Sequence, residues 1–179
     1  LKFKFIRLAP ANATSPGNLN IRILSGLDMI ERNVAPATLH PTFFTTSGVN
    51  TPFEFTFNLL DKAGWTVRRL GEGDLSTVDA VLSSVDAILI GGEIRSGSET
   101  NAIDDVLLSW DNGDVLSDFN TPPSGIDGRE GWVHNFSRPS DLFTGLPQGD
   151  ANSQVFWGND GTTGFLEILE NAGGQNDLF

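Results

Sequence analysis

The chain contains no cysteine among its 179 residues. Disulfides, thiolate metal sites and cysteine nucleophiles are therefore excluded. Lysine is scarce, with three residues, and histidine contributes only two. No apolar run approaches the ~20 residues that a membrane-spanning helix needs, so the sequence predicts no membrane span. The chain begins at Leu1 rather than at methionine, from which we expect a processed or truncated product.

Basic charge is scarce in the second half of the chain. Residues 1–89 hold eight basic and eight acidic residues, whereas residues 90–179 hold three basic and 15 acidic residues, so the net charge of −12 arises entirely in that half. Nucleic-acid binding depends on Lys and Arg that neutralise phosphates, so we expect no nucleic-acid partner. The acidic surface and the few lysines favour an extracellular or cell-surface setting. A solubilising surface is the preferred interpretation, with cation binding or a basic partner as alternatives.

The clearest element of the sequence is the apolar run over 85–93, Val-Asp-Ala-Ile-Leu-Ile-Gly-Gly-Glu. Such a run predicts a strand buried on both faces of a parallel sheet. Further strand and helix patterns alternate around it: strands over 65–70, 115–119 and 154–157, and helices over 52–63, 77–84, 98–110 and 164–171. This alternation predicts an α/β fold with three layers and a mostly parallel, flavodoxin-like sheet. We expect 65–70, 86–91 and 115–119 to be neighbouring parallel strands.

The N-terminal residues 1–8 alternate apolar and basic side chains, which predicts a half-exposed strand. We expect one α/β domain over 1–179, with 1–19 as an added N-terminal strand and loop. A strand over 20–24 follows, alone or in a hairpin with the first strand, and 27–50 is predicted to be a long ordered loop. The apolar face of the first strand needs a partner. That partner is either its own sheet edge or, by self-association through the first strand, a neighbouring subunit.

Ligands of parallel α/β sheets bind at the carboxyl ends of the strands. Candidate ligand-binding residues are therefore Gly91, Gly92, Glu93 and Arg95 after the central strand, and Asp74 after an earlier strand. The paired glycines let the backbone approach a ligand closely, and Glu93 and Arg95 supply an acid and a base. A plain tight exit from a buried strand, with both charged side chains solvated, is the alternative.

The histidines His40 and His134 are candidates for acid–base catalysis because imidazole titrates near neutral pH. Either can act with the carboxylates of Glu93 or Asp118, so these four are the candidate catalytic residues. Ordinary surface positions are the alternative for both histidines. The sequence has no Gly-x-Ser-x-Gly elbow and no dinucleotide-binding fingerprint. The balance therefore favours a protein that is not an enzyme.

We expect no cofactor and no metal site, with calcium as the alternative. Residues 111–114, Asp-Asn-Gly-Asp, resemble part of a calcium loop but lack the spacing and the final Glu of an EF-hand. A helix cap is the preferred interpretation of that segment. Trp110, Trp132 and Trp157 could line a carbohydrate site, with core positions as the alternative for Trp110 and Trp157.

Three segments carry a family resemblance. Residues 59–67 read Leu-Leu-Asp-Lys-Ala-Gly-Trp-Thr-Val, residues 85–92 read Val-Asp-Ala-Ile-Leu-Ile-Gly-Gly, and residues 138–147 read Arg-Pro-Ser-Asp-Leu-Phe-Thr-Gly-Leu-Pro. Together they resemble the class I glutamine amidotransferase-like superfamily, particularly its ThuA-like and extracellular branches, over roughly residues 20–170. Arg138 stands where those domains usually have His. The Gly-x-Cys-x-Gly elbow of the family is absent, so glutaminase chemistry is excluded.

The resemblance implies a flavodoxin-like sheet with a binding or structural role, or an activity that needs no thiol. The first hypothesis is therefore a non-catalytic binding or assembly domain of a secreted or cell-surface protein, with a small-molecule or glycan ligand. The alternative is a hydrolase that acts on carbohydrate-like substrates through the carboxylates of Glu93 and Asp118 and the imidazole of His134.

Overall fold

The computed structural model describes residues 1–9, 17–69, 73–91, 94, 99–110, 113–117, 153–159 and 164–170. These residues form ten strands, two helices of four and five residues and a 3₁₀ turn at Thr46–Gly48. The strands are β1 Lys2–Ala9, β2 Leu19–Ser25, β3 Asp28–Val34, β4 Pro52–Thr56, β5 Thr66–Arg69, β6 Ala87–Ile90, β7 Glu99–Trp110, β8 Gly113–Ser117, β9 Ser153–Asn159 and β10 Gly164–Glu170. The helices are α1 Pro36–Leu39 and α2 Val78–Leu82.

The larger sheet has six strands, in the order β4-β1-β7-β10-β9, with β8 alongside the second half of β7. All pairings between these strands are antiparallel. β1 lies between β4 and β7, so both of its edges are paired within the chain. The opposite edge of β7 pairs with β10 over residues 99–103 and with β8 over residues 106–110. The 12-residue β7 therefore connects both halves of this sheet.

The smaller sheet has four antiparallel strands in the order β5-β3-β2-β6. β2 and β3 form a hairpin joined by Gly26 and Leu27, and Gly26 has a φ of +55°. Tight hairpin turns need a positive φ at such a position, which glycine adopts without steric cost. The N–H of Gly26 also donates to Oδ2 of Asp86 at 2.6 Å, so the turn is tied to the segment before β6.

The two sheets pack face to face around one apolar core. β1 contributes the fully buried Phe3 and Phe5, and β2 contributes Ile21 and Ile23 from the facing sheet. The ring of Phe3 stacks on Phe55 of β4 at a centroid distance of 5.6 Å. Each such side chain contributes about 1.5–3 kcal/mol when it is buried. The alternation of apolar and polar residues along the strands turns one face of each sheet inward, which is the basis of a β-sandwich.

The predicted α/β fold with a mostly parallel, flavodoxin-like sheet is wrong, because the strands pair antiparallel in a two-sheet sandwich. The three segments predicted to be parallel neighbours are separated. β5 and β6 lie at opposite ends of the four-stranded sheet, and β8 lies in the six-stranded sheet. β1 is not an addition to the sheet or a hairpin partner of β2, since it is a central strand of the other sheet. The sheet implied by the amidotransferase resemblance is therefore not the one that this chain forms.

The predicted helix over 52–63 is a strand, β4, followed by turns. Phe53, Phe55 and Phe57 are buried while Glu54 and Thr56 are exposed, which is the two-residue period of a half-buried strand. The four-residue spacing between Phe53 and Phe57 is compatible with both a helix and a strand. Phe55 lies midway between them and is also buried, which is the pattern of a strand and not of a helix.

The predicted helix over 98–110 is also a strand, β7. Lys4 pairs with Asp104 and Lys2 pairs with Leu107, so two residues, 105 and 106, lie opposite the single residue between the lysines. This β-bulge moves the inward-facing positions by one residue, and Ile103 and Val106 are both buried although they are three residues apart. A three-residue spacing of apolar side chains is also typical of a helix, so the sequence predicted a helix here.

The remaining elements agree only in part with the predictions. The segment 164–171 is not a helix but the strand β10, which pairs with both β7 and β9. The segment 27–50 is not one long loop, because it contains β3, α1 and the 3₁₀ turn. Strands at 1–8, 20–24, 65–70 and 154–157 are confirmed as β1, β2, β5 and β9, and the short helix predicted over 77–84 is confirmed as α2.

Candidate binding face of the four-stranded sheet

The outer face of the four-stranded sheet, which points away from the core, is lined by side chains from three strands. Side chains alternate along a strand, so the even positions of β2 and the odd positions of β3 point outward. The register pairs Asn20 with Asn33 and Arg22 with Glu31 on this face. β5 adds Arg68, next to β3. We call Arg22, Glu31 and Arg68 the ion triad, and Asn20 and Asn33 the amide pair.

Glu31 is the centre of the ion triad. Its side chain is 8% exposed, and Nε of Arg22 donates to its Oε2 at 2.7 Å. Nε and Nη2 of Arg68 both lie 3.2 Å from its Oε1. Burial by itself raises the pKa of Glu31, but the hydrogen bonds and charges of Arg22 and Arg68 outweigh it and hold the pKa below its ordinary value. Glu31 is therefore ionised at neutral pH and holds both guanidinium groups on the outer face.

The amide pair lies beside the ion triad. Nδ2 of Asn20 donates to Oδ1 of Asn33 at 2.7 Å. Oδ1 of Asn20 and Nη1 of Arg22 are buried and have no hydrogen-bond partner among the described residues. An unpaired buried polar atom costs about 1–3 kcal/mol. An unpaired acceptor and an unpaired donor two residues apart on one face indicate a place where an internal water molecule completes the bonding.

The ion triad and the amide pair line an open cleft with a volume of about 920 Å³. Leu75, which is 65% exposed, and Arg69 also line it. Nη1 of Arg69 lies 2.8 Å from Oδ1 of Asp28. The ion triad has two guanidinium groups and one carboxylate, which is an excess of one positive charge in a chain of net charge −12. The ion triad is therefore locally basic on an acidic protein.

An apolar patch of Leu24, Met29 and Leu89 lies on the same outer face. Each of the three is at most 4% exposed, and together they form a cluster separate from the core between the sheets. Met29 also lines the cleft. The polar side chains of the cleft therefore lie beside tightly packed apolar side chains, which limit their movement.

Two of the predicted ligand-binding residues lie near this cleft. The N–H of Gly91 donates to the backbone oxygen of Asn20 at 2.7 Å, and a Cβ at position 91 would lie 3.2 Å from that oxygen. Asp74 is exposed, and its backbone oxygen accepts a hydrogen bond of 3.4 Å from Arg69. The other three predicted residues, Gly92, Glu93 and Arg95, lie outside the described residues.

Among the predicted catalytic residues, His40 belongs to the described part of the chain. Its Nε2 lies 2.8 Å from the backbone oxygen of Glu54 in β4. Its ring packs against Phe53 and Phe55 at centroid distances of 5.1 and 4.9 Å. His40 is thus attached to the six-stranded sheet and not to the cleft. Glu93, Asp118 and His134 lie outside the described residues, so their convergence with His40 stays a prediction.

The sequence interpretation missed the ion triad and the amide pair. It treats 27–50 as a loop, so nothing in it brings Glu31 or Asn33 next to β2. The signal that finds them is the glycine turn at 25–28 between two short runs that contain β-branched residues, which is compatible with a hairpin. A hairpin at that place pairs Arg22 with Glu31, and such opposite charges stabilise neighbouring strands.

No group of three or more His, Asp or Glu side chains that could hold a metal ion occurs in the described ranges. Within the calcium-like segment 111–114, Gly113 and Asp114 begin β8, so the helix-cap interpretation is wrong. Residues 111 and 112 lie outside the described part of the chain. The expected absence of a cofactor and its calcium alternative both stay predictions.

A second cavity, of about 620 Å³, lies at the end of β7 and is mainly apolar. Its lining includes Leu60, which is 86% exposed, and Trp110, which is 49% exposed. Trp110 is thus half exposed rather than part of the core. None of the described side chains that line this cavity is ionisable. The cleft on the four-stranded sheet, by contrast, is lined by charged groups and amides.

No protein-family model, curated protein or solved structure matches this chain. The amidotransferase resemblance stays a prediction, apart from the sheet that it implies, which the antiparallel pairing overturns. The described part of the chain contains no helix with the length and apolar character that crossing a membrane requires. The functional conclusion therefore depends on the geometry of the cleft.

Proposed function

We propose that this chain is a non-catalytic binding module of a secreted or cell-surface protein, and that the cleft of the four-stranded sheet binds a hydroxyl-rich ligand, a glycan. The observation that carries the proposal is that the exposed side chains of Asn33 and Arg68 line the same open cleft. A sugar hydroxyl both donates and accepts hydrogen bonds. Sugar hydroxyls can therefore bond to the amide of Asn33 and to the guanidinium group of Arg68.

The side chains of the cleft are held in place before a ligand arrives. Charge-assisted bonds from Glu31 fix Arg22 and Arg68, and the mutual hydrogen bond fixes Asn20 and Asn33. Groups that are already ordered lose little conformational freedom on binding. The same bonds argue against catalysis, because both oxygens of Glu31 are occupied and its lowered pKa is far from that of an effective general acid or base.

The shape of the cleft favours a polymer over a compact small molecule. Sites for small molecules are mostly apolar concavities that bury about 70–90% of the ligand surface. This cleft is instead open, and amides and charged groups line it. A chain of sugars can lie across such a face and remain largely in solvent.

The alternative predicted from the sequence is a hydrolase that acts on carbohydrate-like substrates. Its predicted residues are Glu93, Asp118, His134 and His40, and the one described residue among them, His40, lies beside β4 in the other sheet. No described side chain favours this alternative over binding, and it stays a prediction.

The predictions about macromolecular partners remain part of the proposal. Both edges of β1 are paired within the chain, so self-association through residues 1–8 would require two copies to exchange this strand. A net charge of −12 supports the absence of a nucleic-acid partner, because like charges repel.

The proposal is tested by affinity electrophoresis of the chain through gels that contain dextran, xylan, alginate or polygalacturonate. We expect retardation by at least one polysaccharide, and loss of that retardation in the double variant Asn33→Ala/Arg68→Ala. Both side chains are exposed, so we expect the variant to remain folded, with a melting temperature lowered only slightly by the loss of the bonds to Glu31 and Asn20. The matched control is Lys2→Ala, which removes an exposed cation from the six-stranded sheet.

Two results would contradict the proposal. Migration that none of the polysaccharides changes would refute glycan binding by this chain. Retardation that persists unchanged in the double variant would refute the cleft as its site.

A further inference from the structure

We infer that the ligand of this cleft is an acidic sugar chain, and that Arg68 binds its oxyanions, which are carboxylate or sulfate groups. The inference rests on the proposed function and specifies the class of glycan. It follows from the charge of the ion triad, from the count of free donors and acceptors, and from the distance between the ion triad and the amide pair.

The charge of the ion triad is opposite to that of the protein. Arg22 and Arg68 outnumber Glu31 by one positive charge, whereas the whole chain has a net charge of −12. A neutral glycan gains nothing from this local excess. An oxyanion does gain, because electrostatic complementarity raises specificity and the rate of association.

Both carboxylate oxygens of Glu31 already accept hydrogen bonds within the ion triad, whereas N–H donors of its guanidinium groups remain for a ligand. Oε2 of Glu31 accepts from Arg22, and Oε1 accepts from Arg68. The contact to Glu31 uses Nε and Nη2 of Arg68, whose side chain is 57% exposed. A guanidinium group carries five N–H donors, so donors remain for a ligand. Guanidinium groups bind ionised oxyanions more strongly than neutral acceptors such as sugar hydroxyls.

The spacing of the polar groups lets one ligand reach both sets. The guanidinium group of Arg68 lies at Oε1 of Glu31, and Asn33 is two residues further along β3. At about 3.3 Å per residue, roughly 7 Å separates this guanidinium group from the amide pair along the strand. One ligand can therefore place an oxyanion on Arg68 and a hydroxyl on the amide pair.

The same charges discriminate against nucleic acid. Double-stranded DNA carries one negative charge per about 1.7 Å, and its binding requires many cations to replace counterions. The ion triad offers an excess of one positive charge, and the chain as a whole repels a dense polyanion. A uronate or sparsely sulfated chain, with hydroxyls between its charges, matches a site that combines one cationic group with two amides.

The inference is tested by isothermal titration of the full chain with four probes: oligogalacturonate for carboxylates, sulfated dextran for sulfates, and xylan and dextran as neutral sugars. Arg68→Gln is compared with Lys62→Gln, which removes the same charge from an exposed residue outside the cleft that pairs with Asp79. We expect Arg68→Gln to weaken the binding of at least one acidic probe about tenfold or more, which is the effect of losing a charge-assisted hydrogen bond. We expect Lys62→Gln to change it less than about twofold, because exposed charges contribute little.

The outcomes separate this inference from the proposed function. Neutral probes that bind as tightly as the acidic ones would overturn the inference and leave the proposed function in place. No binding of any sugar probe would overturn both. Equal weakening by Arg68→Gln and Lys62→Gln would refute the role of Arg68 in the cleft. A single-stranded DNA oligonucleotide that binds more tightly than oligogalacturonate and sulfated dextran would refute the sugar as the ligand.

Discussion

Arg22 and Glu31 lie directly opposite each other on β2 and β3, and Nε of Arg22 is 2.7 Å from Oε2 of Glu31. Their side chains are 16% and 8% exposed. The pair Lys2–Glu54 on the other sheet has a similar distance of 2.7 Å, but its side chains are 43% and 50% exposed. Exposed pairs contribute about 0–1 kcal/mol, whereas removal of one partner from a buried pair leaves an uncompensated charge. The two pairs should therefore respond very differently to the same substitution.

We expect Glu31→Gln to lower the free energy of unfolding by about 2 kcal/mol, because it keeps the shape of the side chain but leaves Arg22 without its counter-charge. Urea denaturation followed by tryptophan fluorescence measures the change. The control is Glu54→Gln, for which we expect a loss below about 1 kcal/mol. Similar losses in both variants would show that burial does not distinguish the two pairs.

The stability contributed by Glu31 should depend on pH with a defined sign. Its pKa in the folded state is lowered from the ordinary value of 4.5, so the folded state favours the ionised carboxylate. This contribution is complete above the unfolded pKa and is lost as the pH falls through the lower folded pKa. The difference in unfolding free energy between the wild type and Glu31→Gln should therefore be constant from about pH 7 to about pH 6 and should shrink at acid pH. A difference that grows as the pH falls below about 5 would contradict the direction of the pKa shift.

The bulge in β7 makes a prediction about backbone conformation. Asp105 has a φ of +50° and forms an ion pair with Lys4. Asp105→Gly and Asp105→Ala both remove this pair, so their difference isolates the backbone. The left-handed region destabilises a residue with a Cβ by about 1–2 kcal/mol relative to glycine. The greater freedom of glycine in the unfolded chain offsets part of this difference. We expect the glycine variant to be more stable by about 0.5–1 kcal/mol in thermal denaturation. An alanine variant of equal or higher stability would exclude the left-handed bulge.

The acidic second half of the chain predicts a dependence on salt. Repulsion among its 15 carboxylates should weaken as the screening length shortens to about 8 Å at physiological ionic strength. We therefore expect the melting temperature to rise with added NaCl. A melting temperature that falls would argue against repulsion as the dominant effect. Stabilisation by millimolar calcium beyond that of NaCl at equal ionic strength would indicate a specific cation site.

The sequence predicted strands where the alternation is unbroken. β1 and β2 have buried residues at every second position, and this period is visible without any knowledge of the sheet. The alternation no longer predicts which residues are buried where a bulge in the sheet changes the two-residue period. The bulge at Asp105 places Ile103 and Val106 on the same face, and a pairing partner is needed to recognise it. The parallel arrangement was wrong because three of the four predicted helices, over 52–63, 98–110 and 164–171, contain strands instead, so strands and helices do not alternate along the chain.

The cleft was less predictable than the strands because it depends on register. Asn20 and Arg22 are visible as polar residues within a strand, but their neighbours on β3 follow only from the hairpin. Arg68 pairs with Met29, which lies about 40 residues earlier in the sequence. A local sequence pattern cannot predict a pairing over that distance. The predicted site residues came instead from a rule for parallel sheets, which does not apply to this fold.

The position of β1 between β4 and β7 has a consequence for the order of folding. Lys4 pairs with Asp104, which lies 100 residues later in the chain. The entropy lost in closing a loop grows with its length, and contacts between distant residues slow folding. During synthesis, one edge of β1 stays unpaired until β7 has emerged from the ribosome, while β4 can occupy the other edge much earlier. Throughout that interval the open edge is able to accept a strand from another nascent copy, so the larger sheet is the region most vulnerable to misassembly before the chain is complete.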